Sequence, residues 1–238
     1  MRKILFFILC AGISFSVGAQ QIVNDELAEK RSVGSFHGIE VSTGIMLVLT
    51  SGSSEEIAVS AAKTEYRDHI VTKVENGILK IYYENKMKAP NTRKESKELK
   101  AYVAYRELDQ LDANTGAIVN IQGVLKAKSL KMKVNTGAIV NGKVDLLEME
   151  VNQDTGSIVT LSGEAGKLKV EGDTGSMFKG SNLRTDNCNA KTSTGAGIYI
   201  QVDKELYAKA NTGGFLKYKG NAGVKEIVTH TGGSVKKI

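Results

Sequence analysis

The chain has 238 residues, 41% of them hydrophobic, enough for a core in one elongated domain or two small ones. Tryptophan is absent, proline occurs once and glycine 25 times, a balance that suits many short strands joined by tight turns. The formal charge of +6 falls to +4 without Arg2 and Lys3, and no arginine-rich run interleaved with aromatics accompanies it, which excludes a nucleic-acid-binding reading.

Residues 1–19 read as a signal peptide. Arg2 and Lys3 form a basic start, residues 4–15 are nearly all apolar, and Val17-Gly18-Ala19 is a small-residue cleavage site. Export is therefore expected, to the periplasm, the outer-membrane surface or the medium. The apolar run is too short to span a bilayer comfortably and no second run follows, so the mature chain is expected to lack a transmembrane anchor. Cys10 raises the question of lipidation, but Leu9 stands where a small residue is needed, which favours ordinary cleavage near Ala19. Cys188 is then the one mature cysteine, which excludes an intramolecular disulfide.

Residues 20–32 form a polar, charged leader, expected to be loose. The next region, 33–110, reads as N-terminal β structure belonging to the same solenoid-like domain. Phe36, Ile39 and Val41 alternate with polar residues, a first Thr43-Gly44 follows, and Ile57, Val59 and Ala61 alternate again, the period of a half-buried strand. Residues 63–69 have room for a single helical turn. Residues 71–83 form the clearest hairpin, turning at Asn76-Gly77, a pair that accepts positive φ angles. Residues 85–97 hold Pro90 and a run of basic residues without apolar period, and read as a solvated loop.

From 111 to 238 the chain is organised by Thr-Gly, at threonines 115, 136, 155, 174, 194, 212 and 231. The steps are 21, 19, 19, 20, 18 and 19 residues. A nearly fixed period of this size marks a solenoid, whose coils bury their apolar faces only by stacking. Counting from each threonine, the residue two on is always small (Ala117 to Gly233) and the residue four on is always large and apolar, including Val119, Val140, Val159, Phe178 and Ile198. Positions four and six back are also apolar through the middle repeats, and offsets of equal parity point the same way along a strand, so these columns line one interior. Coils of about 19 residues, holding two or three strands with glycine-marked corners, predict an all-β fold: a single-stranded parallel β-helix, with the N-terminal strands and hairpin capping one end.

The columns offer little chemistry. The residue before each Thr-Gly is Asn, Asp, Ser or His, and Asp154 and Asp173 on consecutive coils are close enough to share a cation or to raise one pKa. The same residue types also hold their own turns, and that is the role this position requires. No other metal ligand, catalytic residue or cofactor motif is identifiable. His37, His69 and His230 lie near no nucleophile motif, and Cys188 falls in a core column.

The stretch Phe36-His37-Gly38-Ile39-Glu40-Val41, the hairpin Val74-Glu75-Asn76-Gly77-Ile78-Leu79-Lys80-Ile81 and the glycine-turn repeats resemble the DUF2807 family of exported Bacteroidetes proteins, the putative autotransporter adhesin head GIN domain, over about residues 33–238. The resemblance implies a right-handed β-helix like that of pectate-lyase-type solenoids without their catalytic residues, and a role in adhesion, with a homo-oligomer compatible. It carries over no catalytic residue. The turns here are Thr-Gly where the family often has Gly-Ser-Gly, a departure that keeps the turn. With seven residues after Thr231 there is no room for barrel strands, so surface attachment is expected to come from a partner. The expected function is that of a non-enzymatic cell-surface or envelope binding module for glycan or protein. The alternatives are a polysaccharide-binding or polysaccharide-degrading protein and a periplasmic scaffold.

Overall fold

The computed structural model describes residues 25–84 and 96–238. The expected signal peptide, Cys10, the start of the expected leader and most of the basic stretch with Pro90 lie outside the described residues.

About 66% of the chain is strand and 2% helix, wound into a β-solenoid of about 7 turns with coils about 19 residues apart. The repeats form β9 (Ile118–Val134), β10 (Ile139–Gln153), β11 (Ile158–Gly172), β12 (Met177–Thr192), β13 (Gly197–Ala210), β14 (Phe215–Lys219), β15 (Gly223–Thr229) and β16 (Ser234–Lys237). Each coil pairs in parallel with its neighbours, Val140 against Val119 and Val159, and Phe178 against Val159 and Ile198. The coils were expected to hold two or three strands each. Instead β9 to β13 are single strands of 14 to 17 residues, because the second corner bends without ending the ladder, with a register shift in the β9–β10, β11–β12 and β12–β13 pairs and none in β10–β11. At Gly163 φ is +103 and a Cβ would stand 2.1 Å from the Val144 carbonyl oxygen, so only glycine brings one coil's corner that close to the next.

The Thr-Gly pair is a tight turn. The N–H of Ala117 donates to the Asn114 carbonyl at 3.1 Å and that of Ser157 to the Asp154 carbonyl at 3.2 Å, while Thr115 and Gly116 lie at φ 50 and 70. Positive φ at both central residues is the type I′ geometry. Every threonine of the series is itself left-handed, so the glycine carries only half of the turn. The ladder runs through the corner: Gly116 N–H donates to the Thr136 carbonyl and Gly137 N–H to the Thr155 carbonyl.

The four inward columns are buried through the middle coils, and Val119, Val140, Val159, Met132 and Val151 are fully so. Each such side chain contributes roughly 2 kcal/mol on burial, which no isolated coil would capture. On the outside, ion pairs link successive coils: Lys167 to Glu148 and Lys169 to Glu150, both 2.8 Å, and Arg184 to Glu164, 2.9 Å. These solvent-exposed pairs match the register more than they add stability.

The N-terminal strands close one end. They are β1 (Glu29–Arg31), β2 (Gly38–Val41), β3 (Met46–Ser51), β4 (Glu56–Ser60), β5 (Ile70–Glu75), β6 (Ile78–Tyr83), β7 (Lys100–Tyr105) and β8 (Gln110–Ala113), with one helical turn, α1 (Thr64–Asp68). β2 and β3 form the first coil, since Gly44 N–H donates to the Thr115 carbonyl. β6 and β7 lie in parallel beyond that coil, and the hairpin partner β5 and the strand β4 then pair antiparallel, ending the parallel stack. The leader is not loose throughout: β1 pairs antiparallel with β4, extending that end of the sheet. At the opposite end Val224 and Ile227 are exposed, because no further coil covers them.

Candidate functional site

Along the described repeats, polar groups come together at the Thr-Gly edge and in a cleft at the second corner. On the edge, Asp154 Oδ1 accepts the Thr155 N–H at 2.6 Å and Asp173 Oδ1 accepts the Thr174 N–H at 2.7 Å. The Thr174 hydroxyl, and after it the Thr155 N–H, hold the Asp154 carboxyl below the usual carboxylate range, the direction that hydrogen bonding to the charged form produces. Both acids border a shallow cavity of 280 Å³ with Asn135, Gln153, Lys191 and Ser193. Among the described residues no three His, Cys, Asp or Glu side chains are grouped as a metal site.

The other titratable candidates are dispersed. His37 Nδ1 lies 2.7 Å from Asp109 Oδ1 near the capped end, both side chains exposed, and His230 is exposed at the opposite end. Cys188 is buried among the core columns, where desolvation pushes its thiol well above the ordinary value and leaves it unreactive. Beneath the Thr-Gly edge the interior contains buried Gln153, Ser157, Ser176 and Thr192. Gln153 Nε2 donates to the Met177 carbonyl at 3.2 Å and the Thr192 hydroxyl to the Ala196 carbonyl at 2.7 Å, which meets part of the cost of burying them.

The cleft follows from a break in the period. The coil from Thr174 has 20 residues and the next has 18. In register terms Gly180 faces Ile200 and Arg184 faces Gln201, so residues 181–183 have no counterpart on β13. Ser181 and Asn182 therefore overhang a shorter neighbouring coil. Below them opens a cleft of 650 Å³ whose floor and walls include Asn141, Thr160, Met177, Lys179 and Tyr199. The Tyr199 ring packs edge-on against Phe215, with centroids 5.8 Å apart at 80°, and Lys217 Nζ lies 5.5 Å from its centroid. No carboxylate lines the cleft. Lys179 forms no ion pair among the described residues.

Alongside it runs an outward apolar column, the third residue after each Thr-Gly threonine. Met46, Ile118, Ile139, Ile158 and Met177 stand there, partly exposed and stacked coil on coil; Gly197 then interrupts the column before Phe215, and Ser234 follows on the last coil. Its signal in the sequence is the third residue after the threonine, apolar at six of the eight Thr-Gly turns and replaced by Gly197 and Ser234 at the other two.

An outward sheet face with a ligand-sized cleft among the described residues defines the class as a β-solenoid with a partly apolar exposed face. The family model described as "Putative auto-transporter adhesin, head GIN domain" (DUF2807) matches residues 35–222, and the chain belongs to that family. It is similar in structure to a putative adhesin of Bacteroides fragilis, at 18% identity and a TM-score of 0.78, covering 89% of this chain and 96% of that one. A putative adhesin of Parabacteroides distasonis is similar at 15% identity and a TM-score of 0.70, over 89% of this chain and 96% of that one. A putative lipid binding protein of the same species is similar at 15% identity and a TM-score of 0.66, over 89% and 96%. At these identities the likeness shows the shared fold. No curated protein matches the chain. Among the described residues no helix is long and apolar enough to cross a membrane.

Proposed function

We propose that the protein is an exported, non-enzymatic β-solenoid that acts as an adhesin-like binding module at the cell surface or in the envelope, taking a glycan or protein partner. The observation that carries this reading is the outward apolar column beside the cleft. A sheet face of stacked Ile and Met side chains, left partly exposed along several coils, is a surface that association would bury. The family's description and the signal-like start of the sequence support the same reading.

The enzymatic alternative, polysaccharide degradation, depends on Asp154 and Asp173. Each is engaged by the backbone of its own turn, and the Asp154 carboxyl is held below the usual range, the direction opposite to that of a proton donor. Purified protein applied to glycan and protein arrays, together with surface labelling of intact cells, tests the proposal. Binding together with surface labelling supports it. Depolymerisation of a glycan that Asp154→Asn abolishes would overturn it, as would protection from labelling combined with no binding, the result expected of a periplasmic scaffold.

A further inference from the structure

The geometry points to the cleft beneath the Ser181-Asn182 overhang as a subsite for an acidic saccharide, a sugar unit carrying one carboxylate such as a uronic or sialic acid. The inference rests on the binding reading above and specifies where binding occurs and to what.

Four observations converge on it. First, the cleft occupies the one place in β9 to β13 where a 20-residue coil is followed by an 18-residue coil, and irregular corners in solenoids are where binding surfaces arise. Second, its polar groups suit a sugar. Thr160, Ser181 and Asn182 bring hydroxyl and amide groups to the cleft, and Asn141 keeps its amide oxygen turned from the bond that its Nδ2 donates to Asn120 Oδ1 at 3.3 Å. Hydroxyls and amides both donate and accept, as sugar hydroxyls do.

Third, the cleft has an aromatic platform of fixed orientation. Tyr199 pairs with Lys217 on the β14 side and with Lys179 on the β12 side, where the cleft lies. Phe215 and Met177 crowd over Gly197, where an added Cβ would stand 2.4 Å from the Phe215 ring and 2.8 Å from the Met177 sulfur. That packing braces Phe215, and Phe215 in turn braces Tyr199 edge-on. A ring held in this way costs little entropy when a sugar's C–H face packs on it.

Fourth, the charge is one-sided. Lys179 lies in a cleft lined by no carboxylate, so an anion there gains a partner without displacing one. A peptide is the weaker fit, because β12 and β13 are otherwise hydrogen-bonded on both sides and only residues 181–183 lack a partner on β13, too short an edge for a strand to join.

The test uses the purified chain on an array of uronate-containing, sialylated and neutral oligosaccharides, with polyglutamate as the acidic peptide. Acidic oligosaccharides are expected to bind in preference to neutral ones and to polyglutamate. Lys179→Gln should weaken acidic binding about tenfold and leave neutral binding unchanged, the loss expected of one charge-assisted hydrogen bond. Tyr199→Ala should weaken both, and Tyr199→Phe should retain them. Lys191→Gln, on the Thr-Gly edge, should change nothing. Because Lys179 and Lys191 are surface residues, their comparison stands even if Tyr199→Ala proves unstable. Equal binding of polyglutamate, or full acidic affinity in Lys179→Gln, overturns the subsite. Glycan or protein binding that ignores every cleft variant overturns the subsite and leaves the adhesin reading standing. Absence of any binding by the wild-type protein removes both.

Discussion

Replacing Val140 by Asp tests the stacking of inward columns directly. Val140 is 0% exposed and sits in register between Val119 and Val159, with fully buried Ala138 two residues before it on the same face. None of these three offers a hydroxyl to an introduced carboxyl; Ser157, at the position of Ala138 on the neighbouring coil, lies only diagonal to Val140. Losing the valine removes roughly 2 kcal/mol of apolar burial. The carboxyl must then be buried neutral or charged without a partner, costing at least another 2 kcal/mol or so. A total near 4 kcal/mol is a large part of a domain's usual stability, about 5–15 kcal/mol. For a chain of this size it corresponds to a fall in Tm of about 8–16 °C. The control is Thr160→Asp, in the next coil on an exposed outward position, where about 1 kcal/mol or less is expected. Thermal melts and urea titrations followed by circular dichroism in the β band read both. A Val140→Asp melt within a degree of the wild type, or equal losses in the two variants, would mean that the inward and outward faces have been exchanged.

Thr136 is exposed and held at φ 51, a conformation that costs a β-branched residue about 1 kcal/mol and asparagine less. Thr136→Asn is therefore expected to raise Tm by about 2–4 °C, and a fall would show that the threonine ladder contributes something beyond turn geometry. In the capping hairpin, Lys73 and Lys80 contact Glu75 at 2.7 and 2.8 Å and their hydrogen bonds hold its carboxyl down to about 2 from an ordinary 4.5. A depressed folded-state pKa gives stability that is complete above the ordinary value and is lost as pH falls through the folded one, so the hairpin should loosen between pH 4.5 and about 2. Carbon-detected NMR titration of Glu75 should show the low midpoint, and Lys80→Met should raise it; a wild-type midpoint at the ordinary value would refute the pairing.

Much of this protein is determined by the sequence alone, because a solenoid's period is local. The 19-residue return of Thr-Gly, the small residue after it and the apolar columns each reflect what one coil needs from the coils beside it, and those needs recur at fixed offsets. The same logic made the hairpin at Asn76-Gly77 and the burial of Cys188 readable. The role of Asp154 and Asp173 as turn-holders was visible as one of two readings, since turn chemistry is local too.

The features that depend on stacking were not visible in that way. That the threonines are themselves left-handed, and that β9 to β13 run unbroken past their second corner, are settled by hydrogen bonds between coils. The cleft is the clearest case. Its sequence signal is only a step of 20 followed by one of 18, and nothing in either coil says that Ser181 and Asn182 will overhang while Tyr199 and Lys179 come together beneath them. That depends on how two unequal coils align in space. The local repeat determines the architecture, and the mismatch between neighbouring repeats, which exists only once they are stacked, decides where a ligand-sized site opens.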